Sequence, residues 1–94
     1  MVIIIVEHYL NQEGELYFPS WLQEVRNKLK KWPGFIRLKL LESKGKTQCI
    51  LYLEFSSKEK LNLWAASIEH SEMLTNISKF KIKKYHSTVY EVVT

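Results

Sequence analysis

The sequence holds one cysteine, two prolines and three glycines in 94 residues. A lone thiol, Cys49, excludes an internal disulfide and any metal centre built from several cysteines. The glycines are dispersed and leave no phosphate-cradling loop. Acidic residues are in the minority, ten against 14 basic. No apolar run approaches the roughly 20 residues needed to cross a bilayer. The apolar stretch from Met1 to Val6 has neither a basic leader nor a cleavage signal, so the expected setting is cytoplasmic, without membrane contact. There is no low-complexity segment and no internal repeat. What is present is ordinary for a folded chain: 46% apolar, 26% charged, with three Trp, five Tyr and four Phe. Single cores grow to roughly 250 residues before dividing, so residues 1–94 are expected to form one domain.

The net charge of +4 raises the question of nucleic acid. The lysines cluster at Lys28, Lys30 and Lys31, at Lys44 and Lys46, and at Lys79, Lys81, Lys83 and Lys84. A dedicated binder gathers charge on one face and interleaves aromatics. Here the first cluster closes a predicted helix, where cations favour the dipole. The second sits on a turn and the third at a strand entry. No nucleic-acid partner is expected.

Hydrophobic periodicity divides the chain into six elements. Val2–Leu10 opens with a continuous β-branched run, the pattern of a strand covered on both faces. Asn11-Gln12-Glu13-Gly14 is turn chemistry. From about Glu15 to Lys31, Phe18, Trp21, Leu22, Val25, Leu29 and Trp32 fall at steps of three and four, one helical stripe. Pro19 then belongs to the first turn, where its missing N–H does no harm, and Pro33-Gly34 ends the helix. A strand over Phe35–Leu41 would put Ile36, Leu38 and Leu40 on one face and Phe35, Arg37 and Lys39 on the other. Ser43-Lys44-Gly45-Lys46 turns into a third strand, Thr47–Phe55, with Cys49, Leu51, Leu53 and Phe55 opposing Ile50 and Tyr52. Ser56 and Glu59 have capping-box spacing ahead of a helix carrying Leu61, Trp64, Ala65 and Ile68. Ser71–Phe80 reads as its broken continuation, and Lys81–Val93 as a long last strand.

The order strand, helix, strand, strand, helix, strand is that of the α+β, ferredoxin-like βαββαβ plait: four antiparallel strands with the helices on one face. Helices cover one face only, yet the first and third strands are apolar on both. The second face would exceed the few hundred Å² of apolar surface that a monomer tolerates. Sheet-to-sheet pairing with a second copy is the simplest cover, since two-fold dimers are the commonest oligomers.

Gly14 after the first strand, Trp32-Pro33-Gly34-Phe35 between helix and strand, and Leu63-Trp64-Ala65-Ala66-Ser67-Ile68-Glu69-His70 together resemble the antibiotic biosynthesis monooxygenase family, over about residues 2–92. The resemblance implies a dimeric α+β barrel and a cofactor-independent monooxygenase acting on an aromatic or quinol-like substrate between helices and sheet. A non-catalytic dimeric module that binds a small aromatic or apolar ligand is the alternative on the same fold. The family's haem-degrading branch uses a first-strand Asn, a second-helix Trp and a His ten residues after it. Trp64 matches that Trp, but Glu7 stands at the Asn position and Leu74 at the His position, and Leu74 cannot ligate iron. No haem is expected.

By strand parity Glu7 shares a face with Ile3, Ile5 and Tyr9, opposite His8. The resemblance turns that face toward the helices, where Glu7 would be a desolvated general base; pairing with Arg37 or a lysine is the plain structural reading. Trp64 would wall an aromatic pocket, with Trp21 beside it and Tyr52 or Tyr85 as hydroxyl donors; Trp64 as simple core is the alternative. Catalytic Glu7 and Trp64 and substrate-binding Trp21, Tyr52, Trp64 and Tyr85 form the expected site. His8, His70 and His86 share no metal-ligand spacing, so no metal is expected; His8 would face the partner sheet. Cys49, on a buried strand, should behave as a small hydrophobe.

Overall fold

The computed structural model describes residues 1–42 and 49–94. The predicted turn over Ser43-Lys44-Gly45-Lys46, and Thr47 at the predicted start of the third strand, lie outside the described residues. The elements are β1 (Val2–Leu10), α1 (Gln12–Leu29), β2 (Phe35–Leu41), β3 (Cys49–Phe55), α2 (Lys58–Ala65), α3 (Ile68–Ser78) and β4 (Lys81–Glu91). The strands form one antiparallel sheet in the order β2-β3-β1-β4. With the helices against one face, this is the ferredoxin-like fold expected. Among the described residues no helix is long and apolar enough to cross a membrane.

Helix α1 starts three residues before the sequence suggests. The Asn11 side chain accepts the Gly14 N–H at 2.8 Å, and the Asn11 backbone N–H donates to the Phe80 carbonyl at 2.8 Å, so the presumed turn is an N-cap and a first turn. Gly14 is buried there, and a Cβ would come within 2.6 Å of Phe80 Cβ and 2.9 Å of Leu10 Cβ. Pro19 consequently sits inside the helix rather than in its first turn, with no N–H to offer the Glu15 carbonyl. The stripe Phe18, Trp21, Leu22, Val25 and Leu29 is buried as predicted. Gly34 adopts φ 83°, a left-handed value, and its carbonyl accepts the Ser56 N–H at 2.7 Å.

That contact holds Ser56 in the strand's extension, so the cap of α2 falls one residue later, on Ser57, whose side chain accepts the Lys60 N–H at 3.2 Å. Ser67 breaks the second helical stretch in two. Its hydroxyl donates to the Trp64 carbonyl at 2.7 Å and accepts the His70 N–H at 3.1 Å, ending α2 and capping α3. The stripe restarts at Met73 and Ile77, and Ile68, expected on it, is left exposed. In β2 the register shifts between Phe35 and Arg37, making Ile36 an extra residue; Phe35 therefore pairs with Phe55 and shares the face of Leu38, not of Arg37.

The main correction concerns parity. Val2, Val6, His8 and Leu10 of β1 are buried toward the helices, with Phe55, Leu53 and Leu51 of β3 beside them. Ile3, Ile5, Glu7 and Tyr9 occupy the opposite, half-open face with Ile50 and Tyr52. Both faces of β1 are apolar, so the alternation alone carries no label for inside. Contact with α1 supplies it.

Candidate functional site

The helices do not seal the sheet completely. A cavity of about 140 Å³ opens between the even face of β1, the matching side of β3, and helices α1 to α3. Its floor is aliphatic: Ile4, Val6, Leu51 and Leu53. Its walls are aromatic. Trp21 is placed by the α1 stripe and pinned by the hydrogen bond from its Nε1 to the Met73 carbonyl, 2.7 Å, which ties α1 to α3. Trp64 is placed by the last turn of α2.

Two imidazoles complete the lining. His8, only 3% exposed, lies between three rings, with centroids at 5.3 Å from Trp21, 5.5 Å from Tyr85 and 6.0 Å from Phe18. Burial, with a smaller repulsion from His70, pulls its pKa down from 6.5 to about 4, so the ring is neutral at neutral pH. His70 packs edge-on against Trp64 at 5.5 Å, and Trp64 does the same with Trp32 at 5.3 Å. Burial lowers His70 as well, and a hydrogen bond to the Ala65 backbone pulls back toward the charged form. Among the described residues no carboxylate and no lysine lines this cavity.

Neutral imidazoles facing an apolar, aromatic space can accept a proton from a phenolic O–H or donate one to a carbonyl. Two nitrogen donors are too few to hold a metal alone, and among the described residues no group of three His, Cys, Asp or Glu side chains converges. Cys49, beside His8 across the strand pair, has its thiol pushed up to about 11 by burial, with Glu15 adding to it, and is no nucleophile.

Of the predicted site residues, the structure brings Trp21, Trp64 and Tyr85 together around this cavity. Tyr85 reaches it by the ordinary alternation of β4, which puts it on the same face as Ser87, the partner of Val6. Glu7 and Tyr52 lie on the other face. Glu7 accepts the Tyr9 hydroxyl at 2.9 Å, and Tyr52 donates to Glu54, which also holds Arg37 at 3.3 Å. The Glu54 bond pushes the Tyr52 phenol above its ordinary range. The expectation that Glu7 faces the helices is therefore overturned, and His8, assigned to a partner sheet, takes the inward place. A signal was available: the even residues of β1 include no formal charge, whereas the odd set carries a carboxylate. His70 had no such signal, because its position depends on the break at Ser67.

No protein-family model matches the chain, and no curated protein matches it by sequence. Solved structures do match in fold. An antibiotic biosynthesis monooxygenase superposes with TM-score 0.85 at 13% identity, over 100% of both chains. SnoaB, a cofactor-independent oxygenase from Streptomyces nogalater, gives 0.84 at 13% identity, over 99% of this chain and 93% of its own. A dimeric protein of ferredoxin-like fold from Bacteroides fragilis gives 0.79 at 21% identity, over 97% and 95%. At these identities the likeness is one of fold.

Proposed function

We propose that this chain belongs with the antibiotic biosynthesis monooxygenases and is a small cofactor-independent monooxygenase for a single-ring phenol or hydroquinone. The observation that carries the reading is the cavity itself: two neutral imidazoles facing an aromatic space of about 140 Å³. Apolar cavities of about 150 Å³ take up benzene, so a single ring matches this volume. The fold shared with a cofactor-independent oxygenase supports the same class of chemistry.

Trp21, Trp64 and Tyr85, which line the cavity, offer the ring aromatic surface to pack on. His70 is the better base, since it is less deeply buried than His8 and a good base titrates near the working pH. Removing the phenolic proton leaves an electron-rich anion that reduces O₂ directly. With a hydroquinone, one oxygen atom enters the ring to give a hydroxyquinone and the other leaves as water, all four electrons coming from the substrate. His8 donates or accepts a hydrogen bond at the developing oxyanion.

The working form is a homodimer packed sheet to sheet. The face bearing Ile3, Ile5, Ile50 and Tyr52 is uncovered by the helices, Tyr90 beside it is 55% exposed, and one fold neighbour is dimeric.

Oxygen consumption with a panel of single-ring hydroquinones tests the reading. Turnover is expected in the wild type and a loss of about 100-fold or more in His70→Gln, while Trp64→Phe should raise KM more than it lowers kcat. If Glu7→Gln loses as much as His70→Gln, the base sits on the other face and this site is wrong. Ligand-dependent thermal stabilisation without any oxygen uptake would assign the cavity to binding alone, as in the non-catalytic alternative.

A further inference from the structure

A second cavity, of about 210 Å³, adjoins the first and shares three wall residues with it: His8, Leu74 and Tyr85. Its other lining differs in kind. Lys81, Lys83 and Lys84, all exposed, line it from four consecutive positions of β4, and among the described residues no carboxylate lines it. Lys83 Nζ lies 4.2 Å from the centroid of the Tyr9 ring, a cation–π contact that anchors that side chain across the strand pair. Two register shifts on β4 between His86 and Lys81 bring residues of both parities toward the same space. Three like charges around one concavity repel one another, and an anion entering it relieves that repulsion.

We propose that the ligand is a single-ring aromatic acid: its ring occupies the Trp21–Trp64 cavity and its carboxylate, on a short tether, passes Tyr85 to the lysine-lined cavity. The proposal rests on the aromatic-cavity reading above and adds the anionic subsite to it. Tyr85 is partly exposed and lies on an edge strand, so its ring can yield to the tether without disturbing the core. The carboxylate would take charge-assisted hydrogen bonds from Lys81 and Lys84, while the ring is held by stacking.

Two isosteric probes separate the parts, 3-phenylpropionate and its neutral amide, followed by quenching of Trp fluorescence at low ionic strength. The acid is expected to bind about tenfold more tightly than the amide, with the advantage shrinking as salt approaches about 0.3 M. In Lys81→Gln/Lys84→Gln the acid should fall to the affinity of the amide, and the amide should not change. Lys30→Gln/Lys31→Gln removes the same net charge away from both cavities and should keep the preference. Equal binding of acid and amide to the wild type would overturn the anionic subsite and leave the aromatic cavity standing. A preference that survives in Lys81→Gln/Lys84→Gln, or vanishes equally in Lys30→Gln/Lys31→Gln, would overturn the assignment to these lysines. Failure of both probes to bind would overturn the subsite and the aromatic cavity together.

Discussion

His8 is the residue whose chemistry depends most on where the fold puts it. In the unfolded chain it titrates near 6.5; in the folded protein, buried among Trp21, Phe18 and Tyr85, it titrates at about 4. As pH falls through 6.5 the unfolded state takes up a proton that the native state refuses until about 4. Stability is therefore lost across that window, by about 3 kcal/mol for a shift of this size. His70 shifts in the same direction and adds to the loss. Carboxylates also begin to titrate there, so the comparison must be with a variant lacking only the imidazole. Urea unfolding at pH 7, 5.5 and 4 should show His8→Phe, which keeps a ring among the aromatics, losing about 3 kcal/mol less than wild type between the first and last. Parallel losses in the two proteins would mean that His8 is solvated when folded.

Among the elements, α1 carries a visible imperfection. Pro19 lies eight positions into an 18-residue helix and is exposed, so it adds nothing to the core while withholding a backbone hydrogen bond. Interior proline disfavours a helix by about 3 kcal/mol, offset by up to about 1 kcal/mol because it also restricts the unfolded chain. Pro19→Ala should raise unfolding stability by about 1–2 kcal/mol, measured by urea titration, with Trp21 and Trp64 fluorescence unchanged. A decrease would mean that the helix uses a bend at this point to carry Trp21 over the cavity. The break at Ser67 works differently: one hydroxyl ends α2 and starts α3, and by resetting the stripe it turns His70 toward Trp64.

For the whole molecule the governing fact is an uneven sheet, covered on one side by three helices and carrying Ile3, Ile5, Ile50 and Tyr52 on the other. Arg37 there lies 3.3 Å from Glu54, which is only 6% exposed despite lying on the open face, and Lys39 lies 5.6 Å from the centroid of the Tyr52 ring. A standard interface of about 1,600 Å² at about 25 cal/mol per Å² gives a gross gain of tens of kcal/mol, of which association and ordering remove much. The remainder should hold a dimer at micromolar concentration. Ile5→Lys puts an unpaired charge at the centre of that face and should yield monomers, whereas Val6→Lys would strike the core instead and unfold the chain. A wild type that sediments at the mass of one chain at micromolar concentration would rule the dimer out.

Local chemistry determined the order of strands and helices, the buried stripe of α1, the inertness of Cys49 and the aromatic character of any pocket. Those features follow from the period of 3.6 or 2 and from residue type, which act over a few neighbouring positions. Glu7 and His8 exchange faces if the sheet is turned over, and with Val2, Ile4 and Val6 on one side of β1 and Ile3 and Ile5 on the other, the Glu7 carboxylate is the one local mark of the open side. The choice is made by α1 and α3, whose Trp21–Met73 hydrogen bond locks a lid of side chains over the even face. The register shifts of β4 between His86 and Lys81, which gather three lysines beside the cavity, likewise exist only in the pairing with β1. Tertiary structure decided the inside of the sheet and the site, because both are properties of contacts between segments remote in sequence.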